Sequence, residues 1–302
     1  MNILVLSRNQ FFKRNWGREL FKLDLSKNHK VTYYGKGYTY HEDTNVPKIL
    51  NRVEKPDFIF TYVMAYASLF DGFELTKIPK VHYEVDYFPY PGGTGSVEVQ
   101  NKFYFKRKYN LIFAPTISMV NLMKENKISE KIFWLPFSVC VEKYKNLGLD
   151  KTIDVMATFT MKSHFYPGRQ KVHDVINSLK IKTFTENVIH EDYIKKINES
   201  KIFVTNNGIY KSLNMKYTEV MSCGTFLLAD KPEDLDDIGF KDGEHLVIYK
   251  NWKDLKNKIQ YYLKNDKERE EIAKNGMNLV REKHNNSVRI QEMTDIIKKE
   301  LF

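Results

Sequence analysis

The stretch NMKYTEVMSCGTFLLADK, Asn214 to Lys231, carries the fold in miniature. Asn214 is a good N-cap, Met215 to Cys223 has helical spacing, and Gly224 stands where a C′ glycine ends a helix. Phe226 to Ala229 then forms a short apolar run of the kind buried on both faces of a parallel sheet. The expectation is helix, glycine turn, parallel strand. Glu219 falls about one turn into that helix, whose N-terminal amides favour anions. Two readings of it stand side by side: a solvated i, i−3 pair with Lys216, worth about 0.2 to 0.5 kcal/mol, or a ligand-binding carboxylate.

Working outward, the same unit recurs. Short apolar runs at Ile3–Ser7, Lys30–Tyr34, Phe58–Tyr62, Lys80–Glu84, Leu111–Ala114 and Ile132–Leu135 are each separated by enough chain for a crossover helix. The pattern resumes at Ile153–Phe159, Lys182–Thr185, Lys201–Thr205, Thr225–Ala229 and His245–Ile248. This predicts the α/β class: two Rossmann-like domains facing a cleft, one sheet in each. The polar segment Val141–Lys151, with Gly148, suits a linker, so the domains are expected at residues 1–148 and 149–302. From Asp254 the chain reads as helix, with Trp252, Leu255, Ile259, Tyr262 and Leu263 on one stripe and Val288, Ile290, Met293, Ile296 and Ile297 on another. The terminal helix is expected to return to the first domain.

Composition narrows the class. The 302 residues, 42% apolar and 28% charged, suit a folded chain of about two domains. Two cysteines, Cys140 and Cys223, exclude a disulfide framework, and no Cys/His cluster has zinc spacing, so no metal is expected. The opening MNILVLS is too short and wrongly flanked for a signal peptide, and no apolar run reaches the roughly 18 to 20 residues of a membrane span. A cytoplasmic location is expected, including peripheral placement at the inner membrane surface or in a phage-infected cell. The net charge of +10 is uneven: residues 1–150 hold 22 basic against 15 acidic residues, and residues 151–302 hold 26 against 23. A basic first half suits a polyanionic or membrane-surface partner as well as simple solubility.

Common nucleotide motifs are absent. The first strand runs into SRNQFFKRNWG rather than GxGxxG, no GxxxxGK[ST] occurs, and GGTG at Gly92–Gly95 follows a proline-rich turn without strand–turn–helix context. Nicotinamide and P-loop chemistry lose support.

Three segments together resemble a known family. WLPFSVC (Trp134–Cys140), DVMATFTMKSHFYPGRQK (Asp154–Lys171) and EDYIKKINESKIFVTNNG with NMKYTEVMSCGTFLLAD (Glu191–Asp230) resemble the GT-B glycosyltransferases of the group-1, retaining type, in their compact CgeB-like branch. The resemblance is close in the second half and only in outline in the first. It implies that Glu219 accepts hydrogen bonds from the nucleotide ribose. It places the donor diphosphate at Lys162, Arg169, Lys216 and the amides around Asn214 and Met215, with Asn207, Gly208 and Lys211 in the same site and the base over Val188 to His190. Arginine matches phosphate bidentately, which favours Arg169. Counting back eight from Glu219, where the family carries a second acid, reaches Lys211, so donor identity and retention are left open. The family's glycine pair after the first strand is replaced by Arg8 and Asn9.

In the first domain, VHYEVDYF sets His82, Glu84 and Asp86 on one side of an ideal strand, where an acceptor hydroxyl would be met. His82 and Asp86 are the expected catalytic groups. The expected function is transfer of a sugar from a nucleoside-diphosphate donor, a UDP-sugar foremost, to a hydroxyl on a glycan, a lipid-linked envelope glycan or a hydroxymethylated DNA base. No cofactor is expected beyond the donor. The alternative of another class is a non-catalytic nucleotide-sugar or glycan-binding protein.

Overall fold

A computed structural model of the chain describes residues 1–9, 16–88, 96–159, 161, 166–208 and 210–302. Two compact units result: Met1–Pro136 with Arg289–Phe302, and Phe137–Val288. In the first, strands β1 (Asn2–Leu6), β2 (Lys30–Tyr34), β3 (Phe58–Tyr62), β4 (Lys80–Tyr83), β5 (Leu111–Ala114) and β6 (Ile132–Trp134) alternate with helices α1 (Trp16–Asp24), α2 (Val46–Leu50), α3 (Met64–Ala67), α4 (Val97–Arg107) and α5 (Ile117–Glu125). The strands form one parallel sheet in the order β2-β1-β3-β4-β5-β6.

The second unit repeats the design. Its strands β7 (Ile153–Met156), β8 (Thr183–Phe184), β9 (Ser200–Thr205), β10 (Phe226–Ala229) and β11 (Val247–Ile248) form a parallel sheet in the order β11-β10-β9-β7-β8. Helices α6 (Pro167–Asn177), α7 (His190–Asn198), α8 (Lys216–Ser222), α9 (Trp252–Tyr262) and α10 (Asp266–Lys283) accompany it, and α11 (Asn286–Leu301) closes the chain. Both sheets are doubly wound, with the first strand of each between the second and the third. Each therefore has a topological switch point, between β1 and β3 and between β7 and β9, where the carboxyl ends of the strands leave room for a ligand.

The strands form because they are apolar and β-rich on both faces: every residue of β3, β5 and β10 is buried. Helices then cover the sheets. Leu4, Leu6 and Ile59 pack with Val46 and Ile49 of α2, and Ile112 and Ala114 with Met119 and Met123 of α5. In the second unit Val155, Ile202, Val204, Phe226 and Leu228 share a core with Val172 of α6, Leu255 and Ile259 of α9 and Ile272 of α10. The last turns of α11 belong to the first unit, where Thr294 meets His29 at 3.1 Å and Glu300 pairs with Lys131 at 3.1 Å.

The polar stretch after Cys140 is fastened within the second unit. The Leu147 amide donates to Asn198 Oδ1 at 2.8 Å, Asn198 Nδ2 donates to the Lys145 carbonyl at 3.1 Å, and Ser222 Oγ donates to the Tyr144 carbonyl. The division between the units accordingly falls at Pro136–Phe137, upstream of that stretch. Among the described residues, no helix is long and apolar enough to cross a membrane.

Candidate functional site

Helix α8 starts beyond the carboxyl end of β9 and is held by its neighbours on three sides. Asn214 lies one residue before the N-cap position, which Met215 occupies, yet its Oδ1 still accepts from the Lys216 amide at 3.0 Å. At the other end Gly224, at φ +69°, donates to the Met221 carbonyl at 2.9 Å while Thr225 donates to that of Val220 at 3.4 Å, the paired closure of a helix ended by a left-handed residue. A Cβ on Gly276 of α10 would lie 2.3 Å from the His245 carbonyl oxygen and 2.9 Å from Met221 Sδ, so the absence of a side chain there lets α10 pass close to the His245 backbone and to α8.

That packing turns Glu219 inward. It is 8% exposed, and its Oε2 accepts from the Tyr193 hydroxyl of α7 at 3.3 Å. Tyr144 hydrogen-bonds it as well, with the two tyrosine rings edge to face at 6.4 Å. Burial pushes the Glu219 carboxyl above the ordinary glutamate range; the charge of Lys216 and the two tyrosine hydroxyls offset part of the rise. The Lys216 ammonium rests 5.8 Å from the Tyr193 ring centroid. A solvated surface pair is therefore not what Glu219 makes.

A second network closes the carboxyl edge of the sheet. Asn207 donates from its amide to Asp230 Oδ1 at 2.8 Å and from Nδ2 to the Tyr217 hydroxyl at 2.8 Å, while Asn214 Nδ2 donates to Asn207 Oδ1 at 3.1 Å. Asn206 Nδ2 reaches Asp230 Oδ2 at 3.0 Å. Burial lifts the Asp230 carboxyl to about 6, against the backbone hydrogen bond from Asn207 and the charges of Arg169 and Lys211. Arg169, in the first turn of α6, is buried with its guanidinium 3.3 Å from the Tyr166 ring centroid and 5.2 Å from that of Phe159, and burial lowers it from the usual arginine range. Gly168 beside it leaves only room for Asn206, since a Cβ would lie 2.9 Å from Asn206 Nδ2.

The expected donor-site residues thus converge in part. Glu219, Lys216, Met215, Asn214 and Asn207 are linked by direct contacts or through one helix, and Asn207 and Arg169 both meet Asp230, the first by hydrogen bond and the second electrostatically. Gly208 and Lys211 lie in the loop between β9 and α8, both at positive φ, with Lys211 exposed. His190 opens α7 at φ +54°, one turn before Tyr193, and half-buried Val188 precedes it. Lys162 lies outside the described residues. Tyr144, Tyr193 and Asp230 were not anticipated. Asp230 had a signal, an acid closing the strand FLLAD at its carboxyl end; the tyrosines had none, because only folding brings them to Glu219.

The acceptor-side expectation needs a correction. β4 ends at Tyr83, so strand alternation does not extend to Glu84 and Asp86. His82 is 0% exposed, with Nδ1 at 2.7 Å from Thr61 Oγ1, Nε2 at 3.0 Å from Glu84 Oε2, and its ring stacked on Tyr109 at 4.7 Å. The ring is thus enclosed among its partners within the first unit. Glu84 also accepts from the Tyr104 hydroxyl and from the amides of Met64, Val85 and Asp86 at 3.0, 2.8 and 2.8 Å. Burial alone would raise its carboxyl, but His82, Tyr104 and these amides hold it down to about 2. Asp86 differs: its side chain is 47% exposed, and Oδ2 faces Arg18 Nη1 at 3.4 Å.

Comparison with known proteins places this architecture. Residues 164–295 match a family model described as glycosyl transferase-like. HepE from Anabaena, solved with UDP and glucose, superposes with a TM-score of 0.76 at 13% identity over 99% of this chain and 100% of that one. Sucrose-phosphate synthase from Thermosynechococcus elongatus gives 0.70 at 10% identity over 99% and 98%. This is the GT-B glycosyltransferase fold. An alpha-glucosyltransferase solved with UDP and a 13-mer DNA containing an HMU base shares the GT-B arrangement, with a TM-score of 0.63 at 12% identity over 99% of each chain. No curated protein matches the sequence significantly. The glycosyl transferase-like segment contains Glu219, Arg169, Lys216, Asn207 and Asp230, and His82 and Asp86 fall outside it.

Proposed function

We propose that the protein is a glycosyltransferase that moves a sugar from a UDP-sugar to a hydroxyl acceptor, with retention and without a metal ion. The observation that carries this reading is Glu219: a carboxylate held between two tyrosines, one turn into a helix at the carboxyl edge of the second sheet, inside the glycosyl transferase-like segment. An ionised carboxylate accepting from two vicinal ribose hydroxyls is a strong, oriented grip. Arg169, Lys216, Lys162, Lys211 and the amides at Met215 and Gly208 would take the diphosphate, and Val188 to His190 the base. UDP is favoured because structures of the same fold, HepE and the alpha-glucosyltransferase, hold it.

Catalysis would rest on positioning and on stabilising the departing diphosphate. Cationic side chains supply the charge that a divalent ion provides elsewhere, which supports a metal-free mechanism and no cofactor beyond the donor. Asp86 would orient the acceptor hydroxyl. Retention is supported by the resemblance to the retaining group. The reaction belongs in the cytoplasm or at the inner membrane surface. Thermal shift with UDP, GDP and ADP, followed by mass spectrometry of UDP-sugar turnover, tests the reading. A melting temperature unmoved by all three nucleotides ends it, and binding without turnover or hydrolysis leaves a non-catalytic nucleotide-sugar-binding protein.

A second acceptor, a hydroxymethylated base in phage DNA, is favoured by the basic first half and by the DNA-bound relative of the same fold. It requires DNA affinity that falls steeply between 50 and 200 mM salt. Salt-insensitive binding removes it.

A further inference from the structure

Glu219 is held by two side chains that are themselves held. The segment after Cys140 is tied to both neighbouring helices: Ser222 of α8 donates through Oγ to the Tyr144 carbonyl, and Asn198 of α7 donates through Nδ2 to the Lys145 carbonyl at 3.1 Å. The Tyr144 amide closes on the Cys140 carbonyl at 2.9 Å, which fixes the direction in which the tyrosine leaves the segment. Tyr193, one turn into α7, has its ring edge to face with that of Tyr144 and with that of Phe203 of β9, at 6.4 Å in each case. Both tyrosines are buried, and both hydroxyls end on Glu219.

The chemistry of these partners matters as much as their place. A phenol hydroxyl gives one neutral hydrogen bond, whereas an ionised carboxylate offers about four lone-pair sites. Two tyrosines therefore orient Glu219 and leave acceptor sites over for hydroxyls from a ligand. Burial pushes both phenols well above the usual tyrosine range, so they stay protonated donors around neutral pH. The other charged and titratable groups that face the carboxyl are Lys216 of α8, whose charge favours ionisation, and Cys223 at the end of that helix, whose thiol burial pushes up to about 12 and keeps neutral. Without the two hydroxyls, a carboxyl this buried would keep its proton to higher pH, and a protonated carboxyl accepts fewer hydrogen bonds.

We propose that Tyr144 and Tyr193 are positioning residues for nucleotide binding, whose hydroxyls hold the Glu219 carboxylate in the orientation, and with the open acceptor sites, that two vicinal ribose hydroxyls need. The inference rests on the reading of Glu219 as the ribose ligand. It gives the tyrosines a role apart from packing, because the rings pack and only the hydroxyls reach the carboxyl. Arrival of the ribose hydroxyls and loss of the carboxyl proton are then linked, so nucleoside affinity rises with pH through the Glu219 midpoint and levels off above it.

The test titrates the full chain with uridine, which carries no phosphate to titrate, and with 2′,3′-dideoxyuridine, by calorimetry between about pH 4 and pH 9. Wild type should bind uridine more tightly as pH rises, up to a plateau, and dideoxyuridine equally weakly throughout. Tyr193→Phe and Tyr144→Phe keep the ring. Each should move the midpoint up by about one to two pH units, a ten- to hundredfold change in proton affinity for one charge-assisted hydrogen bond lost. Glu219→Gln should bind weakly with a flat profile. Carbon-13 carboxyl resonances of wild type give a reading that needs no tyrosine variant: saturating uridine should lower the Glu219 midpoint, and dideoxyuridine should leave it in place. Tyrosine variants that track wild type, or that lose the same factor at every pH as a merely loosened pocket would, overturn the positioning role, as does a Glu219 midpoint unmoved by uridine. If Glu219→Gln binds uridine as wild type does, the ribose reading of Glu219 fails and takes the inference with it, an outcome distinct from failure of the tyrosine variants alone.

Discussion

Two buried glutamates, one in each unit, sit near the carboxyl edges of their sheets and behave in opposite ways. Glu84 accepts from His82, Tyr104 and three backbone amides, and its carboxyl is held down to about 2. Glu219 is hydrogen-bonded by two tyrosine hydroxyls, and burial pushes its carboxyl up. Burial alone does not tell a structural acid from a ligand-binding one; the supply of donors does. A carboxylate whose acceptor capacity is filled from inside the protein has little left for a ligand, whereas one short of donors would gain from hydroxyls that a ligand brought to it.

The largest way to break that contrast is Glu84→Gln. It leaves three backbone amides, His82 and Tyr104 facing a neutral group, and each charge-assisted hydrogen bond lost costs about 1.5 to 3 kcal/mol. Urea denaturation should show that loss, and a change below about 1 kcal/mol would return Glu84 to the list of free carboxylates.

The pH dependence sharpens it next. Because the Glu84 value is depressed in the fold, its contribution is present above about 4.5 and disappears as pH falls toward 2. Wild type should therefore lose about 3 kcal/mol of its advantage over Glu84→Gln between pH 5 and pH 2. The Glu219 value is raised, so its contribution is present below the ordinary value of about 4.3 and lost as pH rises. Glu219→Gln should be neutral or stabilising at pH 7 and should surrender that gain toward pH 4. Slopes of the same sign for the two variants would dissolve the distinction.

Glu219→Gln then tests the ligand. Affinity for UDP by calorimetry should fall about ten- to a hundredfold, the worth of a charge-assisted hydrogen bond, with the fold intact. An unchanged dissociation constant in the folded variant would take Glu219 out of the site. A comparable effect is expected at Asp230, whose carboxyl is raised to about 6. Its ionised form costs stability as pH climbs from about 4 through 6, so Asp230→Asn should gain about 2.5 kcal/mol on wild type between pH 4 and pH 7.5. Thermal melts at the two pH values read it directly.

Much of the fold was legible along the chain. Each strand among the described residues overlaps an expected apolar run, because a parallel strand buried on both faces must be apolar throughout. The errors are systematic. Runs expected to end at Glu84 and Phe159 stop at Tyr83 and Met156, although Val85, Ala157 and Phe159 remain buried. Apolarity reports burial, not hydrogen bonding in the sheet, and burial continues past the last ladder pair into the loops at the carboxyl edge. The same overshoot placed His82, Glu84 and Asp86 on one face of a strand that had already ended.

What this sequence determined by itself was local: alternation of strand and crossover, the helix closed by Gly224, and Glu219 one turn into it. These depend on residues a few positions apart, whose spacing is visible in one dimension. Which carboxylate is filled and which is left wanting was decided only by the tertiary structure. The donors come from far along the chain, Tyr193 from 26 residues before Glu219 and Tyr104 from 20 residues after Glu84, and they are delivered by helices packed on the sheets. The protonation state of a buried acid depends on how many donors surround it, and that number exists only once the chain has closed around it.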